Sequence, residues 1–501
     1  MMDLIANLAL GFSVALTPSN ILFCLIGTLV GTLIGVLPGI GPIATIAMLL
    51  PITFGLPPVG ALIMLAGIYY GAMYGGSTTA ILVNIPGESA AVVTTLDGFQ
   101  MARQGRAGAA LSIAAIASFF AGCVATVIVA ALAKPLTDVA LLFGPAEYFS
   151  LMVLGLMFAV VLAKGSVIKA ISMILFGLLL SMIGSDLETG AARMTFNLPE
   201  LADGIGFVVV AMGVFGFAEI IRNLEQTQHR SIVQSKITGL MPTRADLKKS
   251  WPAIGRGTAM GSILGILPGG GAVIAAFAAY TFEKKISKNP SRFGHGAIEG
   301  VAAPESANNA ASQTSFIPLL TLGIPPNAVM ALMVGAMTIH GIIPGPQVMV
   351  KQPELFWGMI ASMWLGNLML IFINLPLVGV WVWLLRVPYR HLYPMILIFC
   401  CIGVYSINNA PADVIMTAAF GLFGYWLVKH DFEPAPMLLG FVLGPLMEEN
   451  LRRAMLIARG DISVFFTRPI SGVLLAIAFL LLLLSCLPMI RKRREEVFVE
   501  P

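Results

Sequence analysis

Apolar residues run along this chain in blocks too long for one face of a soluble fold. From Leu4 to Gly87 there are 84 consecutive residues without Asp, Glu, Lys, Arg or His. Uncharged stretches also cover 107–133, 470–490 and 355–385, the last interrupted by Pro376. A spanning helix needs about 20 apolar residues. By that measure further spans fall at 20–37, 60–84, 139–163, 166–184, 205–221, 256–281, 314–338, 392–408 and 412–428. Allowing for broken and re-entrant pieces, the pattern predicts about 10–14 membrane elements. Almost no strand is expected, because an open sheet edge is not tolerated in lipid. The segment from Met1 to Leu16 lacks a positive n-region and reads as a retained first membrane segment, not a cleaved signal.

Composition narrows the class. Charged residues make up 11% and hydrophobic ones 58%, against about 25% charged in soluble domains. Soluble domains and intrinsic disorder are both excluded. A net charge of only +4 does not point to nucleic acid. Cys24, Cys123, Cys400, Cys401 and Cys486 all sit in apolar surroundings and read as small buried hydrophobes, with no disulfide or metal framework. The expected fold class is an all-α polytopic membrane protein.

The apolar pattern repeats. Residues 27–41 read GTLVGTLIGVLPGIG and residues 257–271 read GTAMGSILGILPGGG, identical at eight of fifteen positions. The shared frame is G-x3-G-x3-G-x2-P-G-x-G. Ile85-Pro86 and Ile324-Pro325 form a second match at an offset of 239. The extra length lies near Glu283–Arg292, a basic loop whose first-half counterpart near Pro51–Val59 carries no charge. If basic loops face the cytoplasm, the two corners lie on opposite sides, as in an inverted repeat. A parallel duplication with uneven loops is the alternative. The expected division is a first membrane repeat at 1–222, a basic cytoplasmic linker at 223–256, a second repeat at 257–490 and a charged cytoplasmic tail at 491–501.

Candidate chemistry sits where the pattern breaks. Pro38, Gly39 and Gly41, with Pro268, Gly269 and Gly271, interrupt apolar runs and predict helix breaks at membrane depth. Free helix N-termini there suit carboxylates. The G-x3-G ladders preceding them read as close helix packing. Ser77, Thr78, Thr79 and Asn84, followed by Pro86 and Gly87, place hydroxyl and amide groups in the uncharged block. Glu299, Glu305, Asn308 and Asn309 cluster in the second half, beside Ser312-Gln313-Thr314-Ser315. Ionisable groups at membrane depth point to function, and clustered oxygens suit Na⁺; a carboxyl group there also has the option of carrying a proton. The plainer alternatives are Glu299 in an interfacial loop and Asn308 as a helix cap. Glu448, Glu449, Arg452 and Arg453 read as intramolecular ion pairs at a membrane boundary. No P-loop and no H-E-x-x-H is present, and the histidines at 229, 295, 340, 391 and 430 are scattered. A transporter is therefore expected, not an enzyme. A passive channel and an enzyme acting on lipid-linked substrates are the rivals.

Several motifs together resemble the large membrane subunit, the TctA type, of the tripartite tricarboxylate transporter family. They are IGVLPGIGP (34–42), YYGAMYGGSTTAILVNIPGE (69–88), LDGFQMARQGRAG (96–108), GILPGGGAVIAAFAAYTFEKKISK (265–288), FGHGAIEGVAAPESANNAA (293–311), IPLLTLGIPP (317–326), PGP (344–346) and LGPLMEENLRR (443–453). Pro326 and Ser312-Gln313-Thr314-Ser315 depart from the expected pattern. The resemblance implies a secondary transporter of the bacterial inner membrane that imports a carboxylate on a Na⁺ or H⁺ gradient. It also implies a periplasmic solute-binding protein and a small four-helix membrane subunit as partners. No cofactor is expected beyond the coupling ion, and no tightly bound metal. In this reading Ser77, Thr78, Thr79, Asn84, Pro86 and Gly87 face Asn308, Asn309 and Pro325 across the substrate, and Glu305, with Glu299, couples the ion.

Overall fold

The computed structural model describes residues 2–37, 41–163, 166–186, 189–225, 240–267, 271–384 and 389–486. Pro38, Gly39, Pro268 and Gly269, named above as helix-break corners, lie outside the described residues, as do 226–239 of the expected linker and the tail 491–501.

In chain order the first helices are α1 (Met2–Ala15), α2 (Pro18–Val36), α3 (Gly41–Thr53), α4 (Pro58–Val83), α5 (Val92–Arg103), α6 (Ala107–Ala140), α7 (Pro145–Leu162) and α8 (Val167–Ser181). A two-residue hairpin follows, β1 (Gly184–Ser185) against β2 (Ala192–Arg193), antiparallel. Then α9 (Phe207–Ala211) runs through a wider turn of helix at Met212–Phe217 into α10 (Ala218–Glu225). The second part holds α11 (Arg244–Ile266), α12 (Gly271–Ile286), α13 (Glu299–Thr314), α14 (Phe316–Leu322), α15 (Ala328–Ile339), α16 (Pro346–Lys351) and α17 (Pro353–Asn374). It ends with α18 (Val378–Leu384), α19 (Tyr389–Asn408), α20 (Pro411–Lys429), α21 (Pro434–Ile457), α22 (Val464–Thr467) and α23 (Pro469–Cys486).

Proline explains many of these boundaries. Pro18, Pro58, Pro145, Pro353, Pro411 and Pro434 open helices, where the missing N–H is no loss and the fixed φ suits the first turn. Among the described residues, Pro18–Val36, Pro58–Val83, Ala107–Ala140, Phe207–Glu225, Pro353–Asn374 and Pro411–Lys429 are long and apolar enough to cross a membrane, and shorter apolar helices accompany them. The chain is thus an all-α polytopic membrane protein.

Two of the expected continuous spans are broken. Residues 256–281 divide between α11 and α12, and 314–338 divide among α13, α14 and α15. The second break follows from local chemistry. Gly323 ends α14 at φ +75, and Ile324-Pro325-Pro326 cannot continue a helix. The basic stretch after Arg222 already contains the start of α11. Thr243 Oγ1 accepts from Asp246 N at 3.1 Å while Asp246 Oδ2 accepts from Thr243 N at 3.2 Å, a capping box that begins the helix at Arg244.

The repeat has a structural counterpart. α2 packs along α4, and α11 packs along α13. The glycine ladders make both contacts close. A Cβ on Gly27, Gly31 or Gly35 would lie 2.3, 2.4 or 2.4 Å from the carbonyl oxygens of Met64, Ile68 and Ala72. A Cβ on Gly261 would lie 2.2 Å from the carbonyl of Ala307. These ladders therefore bring backbone against backbone. The equivalence continues at the offset of 239. Asn84 and Gly323 both end their helices in the left-handed region, at φ 59 and φ 75. Four residues on, Glu88 and Asn327 share an extended backbone, φ −148 and φ −153, and each side chain caps the next helical segment.

α4 is buried almost all round, as expected for an apolar helix at the centre of a bundle. At the periphery, Glu448–Arg452 and Glu449–Arg453 pair at 2.6 and 2.5 Å, as the sequence suggested, and Arg193 and Asp186 of the hairpin region join the first pair. Cys24, Cys123, Cys400 and Cys401 are free thiols.

Gly31→Val is expected to overpack the α2–α4 contact and cost about 1–3 kcal/mol. Gly255→Ala, at an exposed helical position with open space around it, should be neutral or stabilising by up to about 1 kcal/mol. Thermal unfolding of the detergent-purified chain compares them; equal melting temperatures would contradict the ladder argument.

Candidate functional site

The two repeats meet at a polar cluster set inside the apolar bundle. Its centre is Glu305 on α13, 1% exposed. Pro304 precedes it and lacks the N–H that would bond the carbonyl one turn back. Ser77 of α4 donates to Glu305 Oε2 at 2.5 Å, and Thr94 of α5 donates to Glu305 Oε1. One turn along α13, Asn308 donates through Nδ2 to Glu88 Oε1 at 3.1 Å. Glu88 Oε2 accepts from Ala90 N at 2.7 Å. Asn309 donates to Ser118 Oγ of α6 at 2.7 Å and to the carbonyl of Glu305 at 3.1 Å. α4, α5, α6 and α13 therefore converge on two buried carboxylates.

Backbone packing holds the cluster in place. A Cβ on Gly76 would lie 2.8 Å from Glu88 Cγ, and one on Gly87 would lie 1.9 Å from the carbonyl of Gly35. Glycine at both positions lets the Glu88 loop close over α4 and against the end of α2.

The electrostatic balance is one-sided. Among the described residues, no ion pair reaches Glu88 or Glu305; the donors are hydroxyl, amide and backbone N–H groups. Hydrogen bonds to a charged group contribute about 1.5–3 kcal/mol each, while an isolated buried carboxylate costs far more. Several buried oxygens nearby have no hydrogen-bond partner: Asn308 Oδ1, Asn309 Oδ1, Tyr74 Oη and Asn374 Oδ1. Tyr74, Ser77, Thr78, Ser118 and Asn374 line a cavity of about 20 Å³, room for roughly one water or a small ion.

The residues singled out from sequence fall in different places. Ser77 reaches Glu305. Thr78 faces the cavity, whereas Thr79 donates to the carbonyl of Gly76 at 2.9 Å, within its own helix. Asn84 is exposed, Pro86 is half-buried, and Gly87 and Pro325 are buried. Asn308 and Asn309 lie in the middle of α13, so the capping alternative for Asn308 does not hold. Glu299 opens α13 and pairs with Arg292 at 3.3 Å, apart from the hydroxyls that hold Glu305. Gly41 and Gly271 open α3 and α12 with φ +60 and φ +43. Gly271 lies beside Asn327.

Four contributors escaped the sequence reading as site residues: Glu88, Thr94, Ser118 and Asp97. Asp97 of α5 is fully buried. Its Oδ1 accepts from Gly294 N, Gly296 N and Ala297 N at 2.9, 2.7 and 2.8 Å, and Tyr280 donates to Oδ2 at 3.0 Å. It ties the first repeat to the loop that leads into α13. The signal available in sequence was a lone acid in a helix of mixed polarity, which alone does not name a partner.

Residues 21–439 match the family described as the tripartite tricarboxylate transporter TctA family. An uncharacterized 52.8 kDa protein in the TAR-I ttuC' 3' region of Agrobacterium vitis is 60% identical over 500 residues, covering 100% of both chains. An uncharacterized protein in the TAR-II ttuC' 3' region of the same organism is 62% identical over 240 residues, 48% of this chain and 99% of that one. No solved structure matches the chain.

Asp97→Ala would leave three backbone donors unsatisfied, at about 1–3 kcal/mol each. The thermal midpoint of the purified chain should fall by several degrees, with faster proteolysis at Phe293–Ala297. An unchanged midpoint and digestion pattern would show that the loop is held by other contacts.

Proposed function

We propose that this chain, which belongs to the tripartite tricarboxylate transporter TctA family, is the subunit that carries an organic carboxylate across the bacterial inner membrane on a Na⁺ or H⁺ gradient. Membership supports a role as a component of a tripartite transporter. The proposal adds a periplasmic solute-binding protein that delivers the carboxylate and a small four-helix membrane subunit that completes the assembly.

The observation that carries the reading is Glu305. It is a fully buried carboxylate held by Ser77 and Thr94 hydroxyls, without a basic partner among the described residues. Removing one partner from a buried ion pair is strongly destabilising, because a charge is left uncompensated. A mobile cation or a proton entering beside Glu305 supplies the missing compensation and leaves again when the site opens. That is what a coupling site has to do. The adjacent cavity has room for one small cation. Substrate binding in this reading needs the repeats to part. Substrate carboxylates are then received by the Ser77–Thr79 hydroxyls and the Asn84, Pro86 and Gly87 corner, opposed by Asn308, Asn309 and the Pro325 corner. Helix starts at α5 and α15 supply positive potential there. Glu299, engaged with Arg292, serves the loop, and coupling rests on Glu305.

Reconstitution of the full system in proteoliposomes tests this. Glu305→Gln keeps the shape and removes the charge, with one of the two hydroxyls turning to accept from the new amide instead of donating. Gradient-driven accumulation of carboxylate should fall roughly tenfold or more. Unchanged uptake with unchanged ion dependence would remove Glu305 from the coupling role.

A further inference from the structure

We propose that Glu88 and Asn308 form a second sodium site, beside the Glu305 site, so that the chain binds two cations at once. The inference extends the transport reading and rests on it for the use made of the second ion.

Comparison of the repeats carries the argument. Glu88 and Asn327 are equivalent at the offset of 239, share the same extended backbone, and cap the helical segment that follows them. Asn327 does so with a neutral amide, accepting from Met330 N at 3.0 Å. Capping therefore needs no charge at this place in the fold. The carboxylate of Glu88 goes beyond the structural requirement, and it is 7% exposed. Burying a charge where an amide suffices is costly unless a counter-charge is bound.

A second, independent observation points to the ligand. The Asn308 amide donates to Glu88 with Nδ2, and its Oδ1, carried on the same planar group and 1% exposed, has no hydrogen-bond partner. A buried carbonyl oxygen normally finds a donor. A half-turn of the amide exchanges Nδ2 for Oδ1 beside Glu88 and creates the oxygen pair that a hard monovalent cation takes. The site is also built: Gly76 and Gly87 leave no room for a side chain and pin the Glu88 loop to α4 and α2.

Equilibrium binding of radioactive sodium to the purified full-length chain tests the proposal without requiring transport. The wild-type chain should bind two ions per chain at saturation. Glu88→Gln should bind one, and Glu305→Gln should also bind one. Glutamine retains an acceptor for Ala90 N, and Asn308 can turn its free oxygen toward the new amide, so the fold has what it needs. Asn308→Ala provides a second check with both carboxylates intact; one of the two ions should bind roughly tenfold more weakly. A wild-type chain that binds a single ion, or a Glu88→Gln chain that still binds two, overturns the second site. Two ions bound by a chain that moves no carboxylate in proteoliposomes would instead sink the transport reading and leave the second site standing.

Discussion

A carboxylate inside an apolar helix bundle is tolerated only when something compensates its charge, and Glu305 sets that condition for the whole site. Two hydroxyls approach it from helices of the other repeat, yet neither carries charge. Hydrogen bonds from neutral groups soften the cost of burial without removing it. Glu88 raises the same demand on the same interface, with Asn308, one turn along α13 from Glu305, as its side-chain donor. Two negative groups without a basic neighbour among the described residues are a poor way to stabilise a bundle. They are a reasonable way to make its stability depend on a bound cation, which is what coupling a conformational change to an ion requires.

The remainder of the architecture can be seen as the means of putting those groups there. α4 and α13 carry the polar side chains and must sit deep. The glycine ladders of α2 and α11 let neighbouring backbones press against them without side chains between. The helix ends at Asn84 and Gly323 turn the chain back sharply, and Glu88 and Asn327 start the next segments. Asp97 fixes the loop before α13 by taking three backbone N–H groups, so the helix bearing Glu305 starts from a defined point. The two repeats share this scaffold but differ in chemistry: the first supplies a carboxylate at the cap, and the second an amide.

Much of the scaffold was legible beforehand because it is local. Charge-free runs mark helices, proline marks their starts, and the shared G-x3-G-x3-G-x2-P-G-x-G frame marks the duplication. Glu305 was legible as well, since an ionisable residue between long apolar runs has few structural excuses. The partners were not. Thr94 and Ser118 look like ordinary small helix residues, and they meet Glu305 and Asn309 across 211 and 191 residues of chain. Asn308 looked as suitable for a cap as for a site, because amides favour both. Glu88 stood within a motif that drew attention to its proline and glycine instead. In each case the missing information was which distant helices pack together, and sequence periodicity does not carry that. The Pro38 and Pro268 corners remain expectations, since they lie outside the described residues.

The central claim is that a cation sits at Glu305. Infrared difference spectroscopy on the purified chain, exchanging sodium for choline at constant pH, reads this directly through the carboxylate stretching bands. The account predicts a shifted band on sodium binding that disappears in Glu305→Gln. A spectrum that changes neither on sodium exchange nor on a pH step, or a shift that survives in that variant, would contradict it.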